Sequence, residues 1–219
     1  MIKLFNEPWH SVPTIWIDTE TTGTNPAHDR AVQVGFARFE GGTCVATLDH
    51  LVNPGNKAIP PEATAIHGIT DAMVQMAPRV HEVFAQKDVR ELLEGAQPAA
   101  YNAPFDRHFV PPFGDDWTWP WLDCLSAIRV LDRFVRGKGR HKLETSCARH
   151  GVELPKAHDA GADAKAAGEL FYKVMPKLEV VHSETTLGWL LGWQRHQEAE
   201  EWFRFHEWLS RQPPMDGAA

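Results

Sequence analysis

Cysteine is scarce, with Cys44, Cys124 and Cys147 the only three in 219 residues. An odd number at long spacings, without a CxxC pair, excludes a disulfide framework and a cysteine zinc site and points to a reducing, cytoplasmic compartment. No apolar run approaches the roughly 18 residues of a membrane span. The opening MIKLFNEPWH lacks the uninterrupted apolar stretch of a secretion signal, so neither export nor membrane insertion is expected. Basic charge is also short: 22 Lys and Arg stand against 29 Asp and Glu, a net −7. That balance excludes a broad basic face that coats long duplex, while a pocket for one strand end remains open. Carboxylates gathered around divalent ions would have part of the negative total neutralised locally. No fixed-period repeat is present. The ordinary composition, 43% hydrophobic and 23% charged, suits a compact globular domain.

What is there begins with strands. Thr14 to Asp18, TIWID, is short and rich in β-branched and aromatic residues, and turn formers follow it. Ala31 to Phe39 and Thr43 to Val52 read as two further strands separated by Gly41-Gly42, which makes a three-stranded meander. After Pro60-Pro61 helices alternate with short strands. Helical pieces are expected at Pro61 to Ile66, Ala85 to Ala96, from Phe105 to Val110, and at Leu125 to Phe134, Leu143 to His150 and Ala160 to Val174. Extended pieces are expected at Ala99 to Tyr101 and Trp117 to Leu122. This order implies an α/β domain with a central mixed sheet flanked by helices over 1–176. Residues 177–219 form a tryptophan-rich helical C-terminal extension that either packs on the domain or docks a partner.

Acids dominate the candidate chemistry. Asp18 and Glu20 end the first strand, and a period of two puts both on one face, where a divalent ion relieves their repulsion. Read alone, such a pair equally serves as a turn cap and a solvated acid. Asp106 sits at an expected strand-to-helix junction. In HDAGAD a regular helix would turn His158 and Asp163 about 140° apart. They converge only if Asp159 caps a helix that starts after His158.

The ordered set IDTETTG, TAIHGIT, NAPFD and HDAGAD resembles the DnaQ-like 3′–5′ exonucleases, the DEDDh subgroup of the DEDD superfamily, over about Thr14 to Val174. The resemblance implies a ribonuclease H-like fold. It also implies that Asp18, Glu20, Asp106 and Asp163 hold two Mg²⁺ or Mn²⁺ ions, as hard cations favour oxygen ligands. His158 would be the general base in releasing nucleoside 5′-monophosphates from a 3′ end. Thr21, Thr22 and His67 would hold the terminal nucleotide, with Asn102 and Phe105 near the scissile end.

Between helices, RFVRGKGRHK clusters Arg133, Arg136, Lys138, Arg140 and Lys142, and makes Arg136 and Arg140 phosphate-contact candidates. The expected substrate is single-stranded DNA or a frayed duplex end. RNA end processing is an alternative, as is a proofreading or binding subunit that meets a polymerase or other protein through the C-terminal helices. An HD-type phosphohydrolase, suggested by His158-Asp159, conflicts with the strand-rich first half. Oligomeric state is open.

Overall fold

The computed structural model describes residues 2–112, 120–155 and 157–210, apart from the side chains of residues 2, 3, 205, 206 and 208–210. Five strands form one sheet in the order β3-β2-β1-β4-β5. β1 (Thr14–Thr21) pairs antiparallel with β2 (Ala31–Glu40), and β2 with β3 (Thr43–Leu51). β4 (Gln97–Ala100) and the two-residue β5 (Leu122–Asp123) run parallel to β1. The sheet is therefore mixed, and the architecture is the ribonuclease H-like α/β fold expected from the motif order.

The first strand runs three residues beyond the expected Asp18, so Glu20 and Thr21 belong to the ladder and not to a turn. The single apolar helix expected over Ala85 to Ala96 is two short ones, α3 (Val80–Ala85) and α4 (Lys87–Leu93), because Gln86 adopts an extended backbone between them. Asp106 does not open a helix to Val110. It closes the one-turn α5 (Ala103–Asp106). Of the extended piece expected at Trp117 to Leu122, residues 117–119 lie outside the described residues, and the observed strand is β5. α1 (Pro61–His67) and the short α2 (Asp71–Val74) follow β3. α6 (Cys124–Leu131) ends earlier than Phe134, whereas α7 (Leu143–His150) and α8 (Ala160–Val174) match their expected bounds.

Alternation along β1 divides two cores. Ile15 and Ile17 join Phe36, Val83 and Val89 on the face covered by α3 and α4. Trp16 faces the other way into a larger core with Phe39, Leu170 and Phe171 beneath α8. Period two then sends Asp18 and Glu20 to the α8 side. Two glycines let that helix come close. A Cβ on Gly35, the residue opposite Asp18, would stand 2.0 Å from the Ala160 carbonyl carbon, and one on Gly168 would stand 2.3 Å from the Phe39 ring. Alanines at 160, 164 and 167 complete the thin face of α8 that lies on the sheet.

The last helix, α9 (Leu187–Ser210), buries Leu187, Leu190 and Leu191 in the same core as Trp16, while Trp202 and Phe203 are exposed. No helix among the described residues is long and apolar enough to cross a membrane. The three cysteines are free thiols.

Candidate active site

Three pieces of chain bring the acids together. β1 supplies Asp18 and Glu20. α5 brings Asp106 back against β1, where its Oδ1 accepts from the Thr19 backbone N–H at 3.1 Å and the Thr19 hydroxyl at 2.8 Å. The first turn of α8 supplies Asp163. Its N-terminus is set by Asp159, whose side chain accepts from the Ala162 N–H at 3.3 Å, the cap that the sequence suggested. Gln33, opposite Glu20 in the sheet, adds a second tie, as its Oε1 accepts from the Ala160 N–H at 3.4 Å.

His158 precedes this helix with φ 63°, the only positive φ outside glycine among the described residues. A side chain in the left-handed region is strained and needs support. Support comes from its own N–H, which donates to Asp163 Oδ2 at 3.0 Å. One ligand atom each from Glu20, His158 and Asp163 lies within 4.8 Å of the others. His158 Nδ1 is 4.0 Å from Glu20 Oε1, and Nε2 is 3.7 Å from Glu144 Oε1 on the first turn of α7. Sequence reading missed Glu144 and Gln33. Neither sits in a motif, and only the sheet register and the α7–α8 packing bring them to the site.

Glu20, Asp106 and Asp163 are buried. Burial is the largest influence on each and raises them all: Glu20 to about 7, Asp106 to about 7 and Asp163 to about 6. The Thr19 hydrogen bonds oppose the rise at Asp106, and the His158 N–H opposes it at Asp163. Asp18 is raised well above the ordinary carboxylate value by burial, then by Asp106, Asp163 and Glu20. All four acids therefore feel one another or a shared neighbourhood. Asp163 Oδ1 is buried and without a hydrogen-bond partner among the described residues. An oxygen-rich set of mutually repelling acids with one orphaned carboxylate oxygen fits hard divalent cations.

The other expected binding residues vary in availability. The Thr22 hydroxyl is engaged internally, donating to Asp29 Oδ1 at 3.0 Å and accepting from the Arg30 N–H at 3.1 Å. The Thr21 hydroxyl donates to the Gly23 carbonyl. His67 ends α1 before Gly68, and its Nδ1 accepts from the Ile69 N–H at 3.0 Å. Burial lowers the His67 imidazole below its ordinary value. Asn102 is exposed at the start of α5, and Phe105 packs on Phe109 with ring centroids 4.9 Å apart. Arg136 and Arg140 are exposed on the loop before α7, and neither forms an ion pair among the described residues. The far end of that loop is tied to the residue just before NAPFD, since the Tyr101 hydroxyl donates to the His141 carbonyl at 2.6 Å.

A carboxylate cluster at the end of the central strand of a ribonuclease H-like sheet, with a histidine beside it, defines the class as a nuclease of that fold. The family model described as Exonuclease, RNase T type, matches residues 15–171, and the chain belongs to this DnaQ-like exonuclease family. It is 32% identical over 162 residues to the DNA polymerase III subunit epsilon of Treponema pallidum, covering 70% of this chain and 72% of that protein. It is 36% identical over 197 residues to a DNA polymerase III subunit epsilon-like protein of Rhodobacter capsulatus, covering 86% of this chain but 27% of that one. The chain thus spans about a quarter of that longer relative, and 11% of a PolC-type DNA polymerase III from Oceanobacillus iheyensis to which it is 31% identical. In fold it is similar to exonuclease X in complex with 5′ overhanging duplex DNA, at TM-score 0.64 and 23% identity over 81% of this chain and 99% of that one. It is also similar to the zinc-bound E. coli ExoI–ssDNA complex, at TM-score 0.62 and 22% identity, covering 78% of this chain and 42% of that one.

Proposed function

We propose that this chain hydrolyses DNA from the 3′ end, in single strands or at frayed duplex ends, and releases nucleoside 5′-monophosphates. The observation that carries the reading is the buried, unpartnered Asp163 Oδ1 amid acids whose burial and mutual repulsion hold them near neutral pKa. Asp18, Glu20, Asp106 and Asp163 would hold two divalent cations, Mg²⁺ or Mn²⁺. Such ions supply electrostatic stabilisation to the phosphoryl group and lower the cost of deprotonating water.

The chain's own groups do the rest. His158 Nδ1, on the side facing Glu20, takes one proton from the attacking water, while Nε2 stands 3.7 Å from Glu144 Oε1, whose charge would favour this orientation of the imidazole. The water oxygen bonds to phosphorus, the bond from phosphorus to the 3′ oxygen breaks, and the leaving oxygen takes its proton from solvent. Asp159 and Gln33 hold the α8 terminus so that His158 and Asp163 keep their separation. Thr21, His67, Asn102 and Phe105 would line the terminal nucleotide. Thr22 would shape this wall rather than donate to the nucleotide, because its hydroxyl is committed to Asp29 and its N–H to the Arg30 carbonyl. Arg136 and Arg140 would meet the phosphates.

A polymerase-associated proofreading role is the second reading, favoured by relatives named as DNA polymerase III epsilon subunits and by the exposed Trp202 and Phe203 on α9. Both readings imply a cytoplasmic protein. A time course on matched 5′-labelled DNA and RNA oligonucleotides, with Mg²⁺, Mn²⁺ or EDTA, tests the main one. The expected result is a metal-dependent ladder shortening from the 3′ end, faster on DNA and absent in Asp18→Asn. A faster RNA ladder would reassign the substrate, and activity retained in Asp18→Asn would overturn the metal assignment.

A further inference from the structure

Beside the acid cluster, on the face of the sheet away from α8, lies a groove of about 780 Å³ that none of the four motifs describes. Arg30, Arg79, His81 and His108 line it, all exposed. Its one acidic lining residue among the described residues, Asp29, is spoken for: Lys57 Nζ stands 3.2 Å away, and the Asn25 N–H and the Thr22 hydroxyl both donate to it. These partners hold Asp29 below the ordinary carboxylate value, so it stays ionised and neutralised. Arg79, His81 and His108 form no ion pair among the described residues. In a chain of net −7, four cationic or protonatable groups thus face one cavity with no free counter-charge among the described residues.

Apart from Asn53, the remaining described walls are apolar, and prolines stiffen them. Pro54, Pro111 and Pro112 stand with Val80 and Phe109 along the same groove. Cations above a rigid apolar floor suit a ligand with flat apolar rings and a phosphate chain. The groove also adjoins the acids through the backbone. Ala31, in its wall, is paired with Thr21, the residue after Glu20. His108 and Phe109 follow Asp106 within one turn, and the Phe109 N–H donates to the Asp106 carbonyl at 3.0 Å.

The geometry points to this groove as a second nucleic-acid subsite, in which Arg79, His81, His108 and Arg30 hold the phosphates of the strand several nucleotides upstream of its 3′ end. The inference rests on the exonuclease reading for its substrate. It places on the α3 face a track separate from the Arg136 and Arg140 loop, which adjoins α7.

The test compares the full chain with the double variant Arg79→Gln/His81→Gln on two substrates, dT12 and the p-nitrophenyl ester of thymidine 5′-monophosphate. Binding of 5′-fluorescein dT12 is followed in parallel by anisotropy with Ca²⁺ in place of Mg²⁺. The expected result is a KM and Kd for dT12 raised about tenfold, with hydrolysis of the small ester within twofold of the parent and an unchanged melting midpoint. The slope of log Kd against log salt should fall by about 0.7 for each phosphate the variant no longer neutralises. Unchanged dT12 binding and slope would overturn the subsite, as would an equal loss on both substrates. Displacement of labelled dT12 by thymidine 5′-monophosphate as effectively as by dT12 would likewise overturn a strand track. If the parent hydrolyses neither substrate, the exonuclease reading fails. The anisotropy comparison then still decides the groove, and a parent that does not bind dT12 refutes it.

Discussion

The His158 backbone N–H donates to Asp163 Oδ2 at 3.0 Å, so the histidine with the left-handed backbone and the acid five residues later share one anchor. Histidine and carboxylate are thereby fixed as a unit at the mouth of α8. The bond commits one oxygen of Asp163 to positioning and leaves the other, Oδ1, free of hydrogen bonds among the described residues and so available to the cation proposed above. A short acid that did only one of these tasks would leave the site either loose or without its ligand.

Replacing that acid separates the two tasks from stability. Asp163→Asn should abolish detectable turnover, while the metal-free protein at about pH 8 melts no lower than the parent, because a buried carboxylate that resists ionisation has been removed. The parent should gain melting temperature on adding Mg²⁺, and the variant should gain much less. Calorimetry with and without EDTA checks both.

His158→Ala should behave differently, slowing hydrolysis by about 10² to 10⁴ while most of the Mg²⁺-induced stabilisation survives. A pre-steady-state rate together with a melting curve distinguishes loss of the base from loss of the ion. Glu144→Gln, which weakens the orientation of the same imidazole, should lower kcat severalfold with KM nearly constant.

Metal-free stability should fall as pH rises. Glu20 and Asp106 titrate in the folded chain at about 7 and Asp163 at about 6, all above the ordinary values of 4.5 and 3.8. Raised acids bind protons more tightly folded than unfolded. Their stabilising contribution is complete below about pH 4 and is lost as pH climbs through roughly 6 to 7. In EDTA the denaturant midpoint is therefore expected to drop between about pH 5 and pH 8, and Mg²⁺ should recover much of the loss at the upper end. A midpoint that rises over that interval would contradict the burial of the acid cluster.

Close packing of α8 supplies a further expectation. Gly168→Ala drives a methyl into the Phe39 ring and should cost about 1–3 kcal/mol by chemical denaturation. Gly35→Ala meets backbone instead of a ring, so the α8 terminus must shift. Its activity should fall further than its stability predicts, with loss in kcat.

Much of this arrangement was legible in the residues. The period of two across Asp18 and Glu20, and the late helix start at Asp159, follow from local chemistry, and Gly151 ends α7 with the expected left-handed cap. The motif order then carried the fold. Errors fell where local signals compete. Gln86 splits an apolar helical pattern whose periodicity looks continuous, and Asp106 closes a helix because Ala103 and Pro104 already occupy its first turn. Gln33 and Glu144 were invisible because their roles depend on register and on helix packing, which bring together residues distant in sequence.

β5 is two residues long, and Gln194 of α9 faces it with a primary amide: Nε2 donates to the Asp123 carbonyl at 2.7 Å, and Oε1 accepts from the Asp123 N–H at 3.4 Å. A side-chain amide thus occupies the position of a neighbouring strand's peptide and closes the ladder with a group that cannot be extended. The tryptophan-rich helix acts as a stopper against edge-to-edge growth between copies. Removing it would expose the Asp123 backbone to the first free strand it meets.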